Sequence, residues 1–160
     1  MKPKPIPDGY DALVPYFVVR GAVKAIEFYK AVFGATELLR MPSPDGTKIG
    51  HAELKIRGHV LMLGDENPQM GAVAPQPNGP PPPVGLMFYV EDVDALFNLA
   101  ISKGAKALMP PTDMFWGDRY GKFLDPFGHL WSVATHIKDV PPEEMAKGAE
   151  EWSRKNAPKS

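Results

Sequence analysis

The 160-residue chain contains no cysteine, which removes thiolate nucleophiles, disulfides and Cys-ligated zinc together. Histidine is scarce as well: His51, His59, His129 and His136 are the whole supply, so any metal would rest on these imidazoles and on carboxylates. No stretch approaches the roughly 20 apolar residues of a membrane-spanning helix, and the opening Met1-Lys2-Pro3-Lys4-Pro5 has no signal-peptide apolar core. A cytoplasmic protein with no membrane partner is the expectation. The formal net charge of -1 supplies no basic face for nucleic acid. Neither Gly-x-Ser-x-Gly nor Gly-x-Gly-x-x-Gly nor a P-loop occurs, which argues against a serine hydrolase and a nucleotide enzyme.

What is present is a duplication. Gly34-Ala35 recurs as Gly104-Ala105 and Gly58-His59 as Gly128-His129, each seventy residues on, with Ala25-Ile26 opposite Ala95-Leu96 between them. A repeat of that length found twice reads as two copies of one supersecondary module that share a core. Apolar patterning predicts, in the first copy, a strand over 13–19, a helix over 21–33 with Val23, Ile26, Tyr29 and Phe33 on its apolar side, and strands over 37–41, 48–56 and 59–63. In the second copy it predicts a strand over 84–90, a helix over 92–103, and strands over 107–109, 119–124 and 129–135, with 110–117 as a loop.

The expected organisation is therefore α+β: modules over 10–66 and 84–136, each β-α-β-β-β, with curved sheets enclosing a cleft. Residues 67–83, ending in Pro80-Pro81-Pro82-Pro83, form a proline-rich linker, and 137–160 hold a C-terminal helix and tail with Met145, Ala149 and Trp152 on one stripe. The linker or that helix could instead serve as a docking segment for another protein.

Two groups carry the chemistry. His51 and Glu53 lie two apart on a strand and so share a face, where they could act as a base with an orienting acid, hold a displaced metal, or form a plain polar surface. Trp116, Asp118, Arg119 and Tyr120 form the densest set of recognition side chains, able to offer an aromatic wall and a forked donor, or to satisfy the loop and cover the core edge. Trp131 alternates to the core, and His59, His129 and His136 suit structural roles at strand ends.

Ala25-Ile26-Glu27-Phe28-Tyr29 before Phe33-Gly34-Ala35, and Asp125-Pro126-Phe127-Gly128-His129 before a last strand, together resemble the vicinal oxygen chelate superfamily of glyoxalase I, extradiol dioxygenases, and bleomycin and fosfomycin resistance proteins. The segments 49–54, 61–66 and 115–121 resemble its PhnB-like, glyoxalase-like branch. The resemblance implies a frequent homodimer and, in enzymatic members, a divalent metal held by one side chain from the first and last strands of each module. Carried over by motif spacing, those positions fall at Val14, Met62, Gly85 and Ser132, none a His or carboxylate, so no metal or other cofactor is assigned. Met62 and Ser132 then become lining residues of the cleft.

Two readings stay open. One is a protein that binds a small, partly apolar molecule in the inter-module cleft through Trp116, Asp118, Arg119, Tyr120, Met62 and Ser132, without the usual metal. The other is a lyase or isomerase of glyoxalase type using His51 and Glu53, by acid-base chemistry or around a displaced divalent ion.

Overall fold

The computed structural model describes residues 3–157, so residues 1–2 of the expected N-terminal arm and 158–160 of the expected tail lie outside the described residues. Two compact units divide the chain, one of residues 3–82 with the segment 125–129, the other of residues 83–124 and 130–157. In the first, β1 (Tyr16–Val19) leads into α1 (Ala22–Phe33), then β2 (Thr36–Pro42), β3 (Ile49–Ile56) and β4 (His59–Asp65). The second repeats the order with β5 (Gly85–Tyr89), α2 (Val93–Ser102), β6 (Lys106–Asp113), β7 (Asp118–Leu124) and β8 (Leu130–His136), followed by α3 (Pro142–Asn156). The fold is α+β, with two four-stranded sheets and a C-terminal helix.

Both sheets have one topology, β1-β4-β3-β2 and β5-β8-β7-β6. The first strand of each pairs parallel with the last, and every other neighbour is antiparallel. A parallel pair needs a crossover, and the helix after the first strand starts it. Gly34 and Gly104 follow the two helices, and Gly58 and Gly128 sit in the β3–β4 and β7–β8 turns, with φ of 65, 99, 89 and 90°. The repeated glycines therefore occupy equivalent places.

In the first unit α1 covers one sheet face with Ala22, Ala25, Ile26, Tyr29 and Phe33, a spacing of three and four that defines one helical side. Val23, expected on that side, lies one residue off the stripe and is half exposed. The buried Tyr29 hydroxyl donates to Asp125 Oδ2 at 2.7 Å, while Asp125 Oδ1 accepts the Phe127 and His129 amides, both at 2.9 Å. His129 stacks on Phe17 with centroids 3.8 Å apart and donates from Nε2 to the Val18 carbonyl at 2.9 Å, a structural task for a turn histidine. In the second unit Val93, Phe97 and Ala100 of α2 are buried with Phe123, Trp131 and Val133 of the sheet.

Three boundaries differ from the sequence reading. β1 starts at Tyr16 rather than 13, because Pro15 has no amide to give; its carbonyl accepts from Met62 instead, and Leu13 is 97% exposed. β6 extends through Pro110 and Pro111, where the sequence pattern predicts a loop. It is an edge strand, where a missing amide costs no ladder bond, and its register shifts between Met109 and Thr112. Residues of the proline-rich stretch also form a short 3-10 turn at Pro68–Met70 and an Asn67–Ala72 bridge. Among the described residues no helix is long and apolar enough to cross a membrane.

Candidate functional site

On β3, Ala52 and Leu54 point into the α1 core, so His51 and Glu53 take the opposite, open face of the sheet. Met62 pairs with both Tyr16 and Glu53, which puts all four side chains in one cluster. His51 Nε2 lies 3.1 Å from Glu53 Oε1, the Tyr10 hydroxyl donates to Glu53 Oε2, and Tyr16 stacks on the imidazole with its hydroxyl 3.4 Å from Nδ1. The Tyr10 and His51 hydrogen bonds hold the Glu53 carboxyl below the usual carboxylate range, so it remains an acceptor at neutral pH. Nε2 of the imidazole thus meets the carboxylate, while Nδ1 faces the Tyr16 hydroxyl. Tyr10 and Tyr16 were not anticipated, because neither lies within a motif. A hollow of about 950 Å³ in this unit, beside Tyr16, Asp45, Lys48 and Glu66, is lined by neither His51 nor Glu53.

The second unit holds a different kind of site. Alternation along β7 sends Asp118, Tyr120 and Lys122 to the face away from α2, where they line a pocket of about 620 Å³. Trp116 and Phe115 come from the β6–β7 turn, Met87 and Tyr89 from β5, and Ala149, Trp152 and Ser153 from α3. The turn is fixed by Gly117 at φ 97°, where an added Cβ would stand 1.9 Å from the Lys138 carbonyl. The Lys138 and Ile137 N–H groups donate to Gly117 O at 3.0 and 2.9 Å, which ties the approach to α3 onto the Trp116 turn. Gly148 of α3 rests on Phe115, with room for no Cβ. Otherwise α3 buries no residue; of its expected stripe, Ala149 and Trp152 face the pocket, while Met145 is exposed.

Asp118 organises the pocket floor. It is 3% exposed, and its Oδ2 accepts from the Tyr89 hydroxyl at 2.8 Å and from Trp116 Nε1 at 2.9 Å. Its Oδ1 accepts from His136 Nδ1 at 2.8 Å, and His136 Nε2 reaches Asp139 at 3.0 Å. Burial pushes the Asp118 pKa up, but hydrogen bonds from His136, Tyr89 and Trp116 outweigh it and leave it below the usual value. Hydrogen bonds to Asp118 and Asp139 raise His136 above the ordinary histidine value. Tyr120 donates to Ser132 Oγ at 2.9 Å and meets Trp116 edge-on at 5.7 Å, and Lys122 Nζ sits 5.7 Å from the Tyr120 ring centre.

Arg119 is elsewhere. It takes the α2 side of β7, where Nε and Nη2 grip Asp94 at 2.6 and 2.8 Å and Nη1 reaches Asp113 at 2.8 Å. The sequence run 116–120 had put it beside Trp116, but strand alternation begins at Asp118 and separates the two. Lys122, Tyr89 and the three α3 residues were missed as pocket lining. Lys122 was the findable one, since it shares the parity of Asp118 and Tyr120.

The sheets, their duplication and the open faces together define a family, and the comparison agrees. Residues 13–133 match the model of the Glyoxalase/Bleomycin resistance protein/Dioxygenase superfamily, and the chain belongs to that superfamily. A protein of Mycobacterium bovis is 44% identical over 137 residues, 84% of this chain and 89% of its own length. Among solved structures, TioX from Micromonospora sp. ML1 superposes with a TM-score of 0.59 and 27% identity, over 79% of this chain and 99% of its own. The PhnB protein from Bacillus cereus has the same fold, with a TM-score of 0.62 and 18% identity over 78% of this chain and 99% of its own.

The divalent metal expected of enzymatic members finds a poor donor set here. β1 begins after Val14, so the residue paired with Met62 is Tyr16; on the second sheet Ser132 pairs with Met87, and Gly85 pairs with Leu130. First- and last-strand pairs thus offer a phenol and a thioether in one unit, and a thioether and a hydroxyl in the other. Hard and borderline cations need carboxylate or imidazole donors in number. Among the described residues no three His, Asp or Glu side chains come together as a metal site.

Proposed function

We propose that the protein binds a small, flat, partly apolar molecule in the pocket of its second unit, through contacts that draw on no divalent ion at the first- and last-strand positions. The carrying observation is the lining: five aromatic and three methionine side chains around about 620 Å³, floored by a carboxylate whose hydrogen bonds are already made. A volume in that range suits a small organic ligand. Aromatic rings give rigid apolar walls, and methionine adapts its thioether to ring edges. Tryptophan emission tests this directly, because Trp116 and Trp152 line the pocket and Trp131 is buried in the core. Titration with 2-naphthylmethanol should change emission saturably, and Trp116→Ala should weaken binding on the order of tenfold. No saturable binding, or an unchanged affinity in a folded Trp116→Ala variant, would remove the proposal.

A second reading rests on the His51 cluster, where an ionised Glu53 orients an imidazole whose other nitrogen meets a phenol. Such a pair suits proton transfer at an acidic C–H. Hydroxyacetone in D2O, followed by proton NMR, tests it: deuterium uptake accelerated by the protein and lost in His51→Gln would favour catalysis, and no acceleration would leave binding alone.

A further inference from the structure

Resting on the binding proposal above, we infer that Lys122 makes the second-unit pocket selective for flat aromatic molecules that carry a negatively charged oxygen group, a carboxylate or phenolate. Asp118 accepts from Tyr89, Trp116 and His136 and is almost wholly buried, so little of it remains for a ligand's donor. The Tyr89 and Tyr120 hydroxyl protons are committed to Asp118 and Ser132, and the Trp116 indole proton to Asp118. Lys122 differs from all of these. Among the described residues no carboxylate pairs with it, and Nζ sits 5.7 Å from the centre of the Tyr120 ring. Its three ammonium donors are therefore available at the pocket wall.

This reverses the preference that the rings alone would set. Aromatic faces attract cations, and a pocket of tryptophan, tyrosine and phenylalanine would ordinarily accept a quaternary ammonium. A cation bound there would stand close to Lys122, whose like charge at contact range in a partly desolvated site outweighs a ring-face contact. The carboxylate that could offset it, Asp118, is engaged by His136 on the side away from the indole and phenol. A ligand anion instead gains charge-assisted hydrogen bonds to the ammonium while its ring system occupies the space between Trp116, Tyr120 and Trp152. Ring contacts set the general affinity, and Lys122 sets the sign of the charge.

The experiment uses the full chain, wild type and Lys122→Gln, with three probes that share one ring system: 2-naphthoate, 2-naphthylmethanol and (2-naphthylmethyl)trimethylammonium, titrated at low salt. We expect naphthoate to bind wild type about tenfold more tightly than the alcohol, as one charge-assisted contact allows, with the cation weakest. Lys122→Gln should reduce the naphthoate margin over the alcohol to about twofold. Circular dichroism should show the variant folded, since the lysine holds no ion pair among the described residues. Equal binding of naphthoate and alcohol, a margin that survives Lys122→Gln, or tightest binding of the cation overturns the inference while leaving the pocket intact. Failure of all three probes overturns the pocket proposal and the inference with it.

Discussion

Replacing Asp118 probes the feature on which the pocket depends, and the structure sets the size of the effect. In Asp118→Asn the amide oxygen can replace Oδ2 and keep the Tyr89 and Trp116 bonds, while the amide NH2 faces His136, which must then present a bare nitrogen. The packing survives and charge assistance is lost, a cost of about 1–2 kcal/mol. Asp118→Ala leaves three donors without their acceptor. Tyr89 is 53% exposed, as is the His136 side chain, so water serves both, and the unrelieved loss falls on Trp116 and the vacated volume, about 2–4 kcal/mol. The folded Asp118 pKa is depressed, so its contribution is present above the unfolded carboxylate value and is lost as pH falls through the folded one. His136 is raised, so its contribution is complete below the unfolded histidine value and is lost as pH rises through the folded one. The gap between wild type and Asp118→Asn should therefore be widest between about pH 4 and 6.5. Urea unfolding followed by tryptophan emission across that range measures it. Variants within about 0.3 kcal/mol of wild type throughout would refute the reasoning.

Other outcomes follow from the same geometry. Arg119→Ala should cause a small, salt-sensitive loss of stability, since its partner Asp113 is exposed and Asp94 half exposed, and should leave 2-naphthylmethanol affinity unchanged; a changed affinity would return this residue to the pocket. Gly148→Val should lift α3 from Phe115, because even a Cβ would lie 2.6 Å from the Phe115 Cβ, and weaken 2-naphthylmethanol several-fold, read by fluorescence titration. Tyr29→Phe should cost about 1–3 kcal/mol in urea unfolding by taking a donor from the buried Asp125 carboxylate; a neutral result would mean that water or another group replaces it.

Much of the fold was legible because duplication shows twice what a single copy shows weakly. Gly34 with Gly104 and Gly58 with Gly128 mark helix ends and turns by a backbone requirement, and that requirement survives in sequence. Pro110 and Pro111 misled because proline excludes a central strand and tolerates an edge one, and edge position is a tertiary fact. At the sites, pairs two apart such as His51 and Glu53 were readable from strand parity. Arg119 was misjudged because parity applies only once the strand begins, and the Trp116 turn ends one residue before it does. Tyr10 against Glu53, and Trp152 against the face of β7, join segments distant in sequence, and no local spacing encodes those meetings.

The central claim, that the second-unit pocket is the ligand site, is tested most directly by carbon-13 NMR of the methionine methyl groups during titration with 2-naphthylmethanol. Met87, Met109 and Met114 line that pocket, Met62 lies in the His51 cluster and Met41 opposite His51 on β2. The account predicts saturable shifts at Met87, Met109 and Met114, with Met41 and Met62 unmoved and the pocket shifts weakened by Trp116→Ala. Shifts centred on Met41 and Met62, with the three pocket methionines silent, would contradict it.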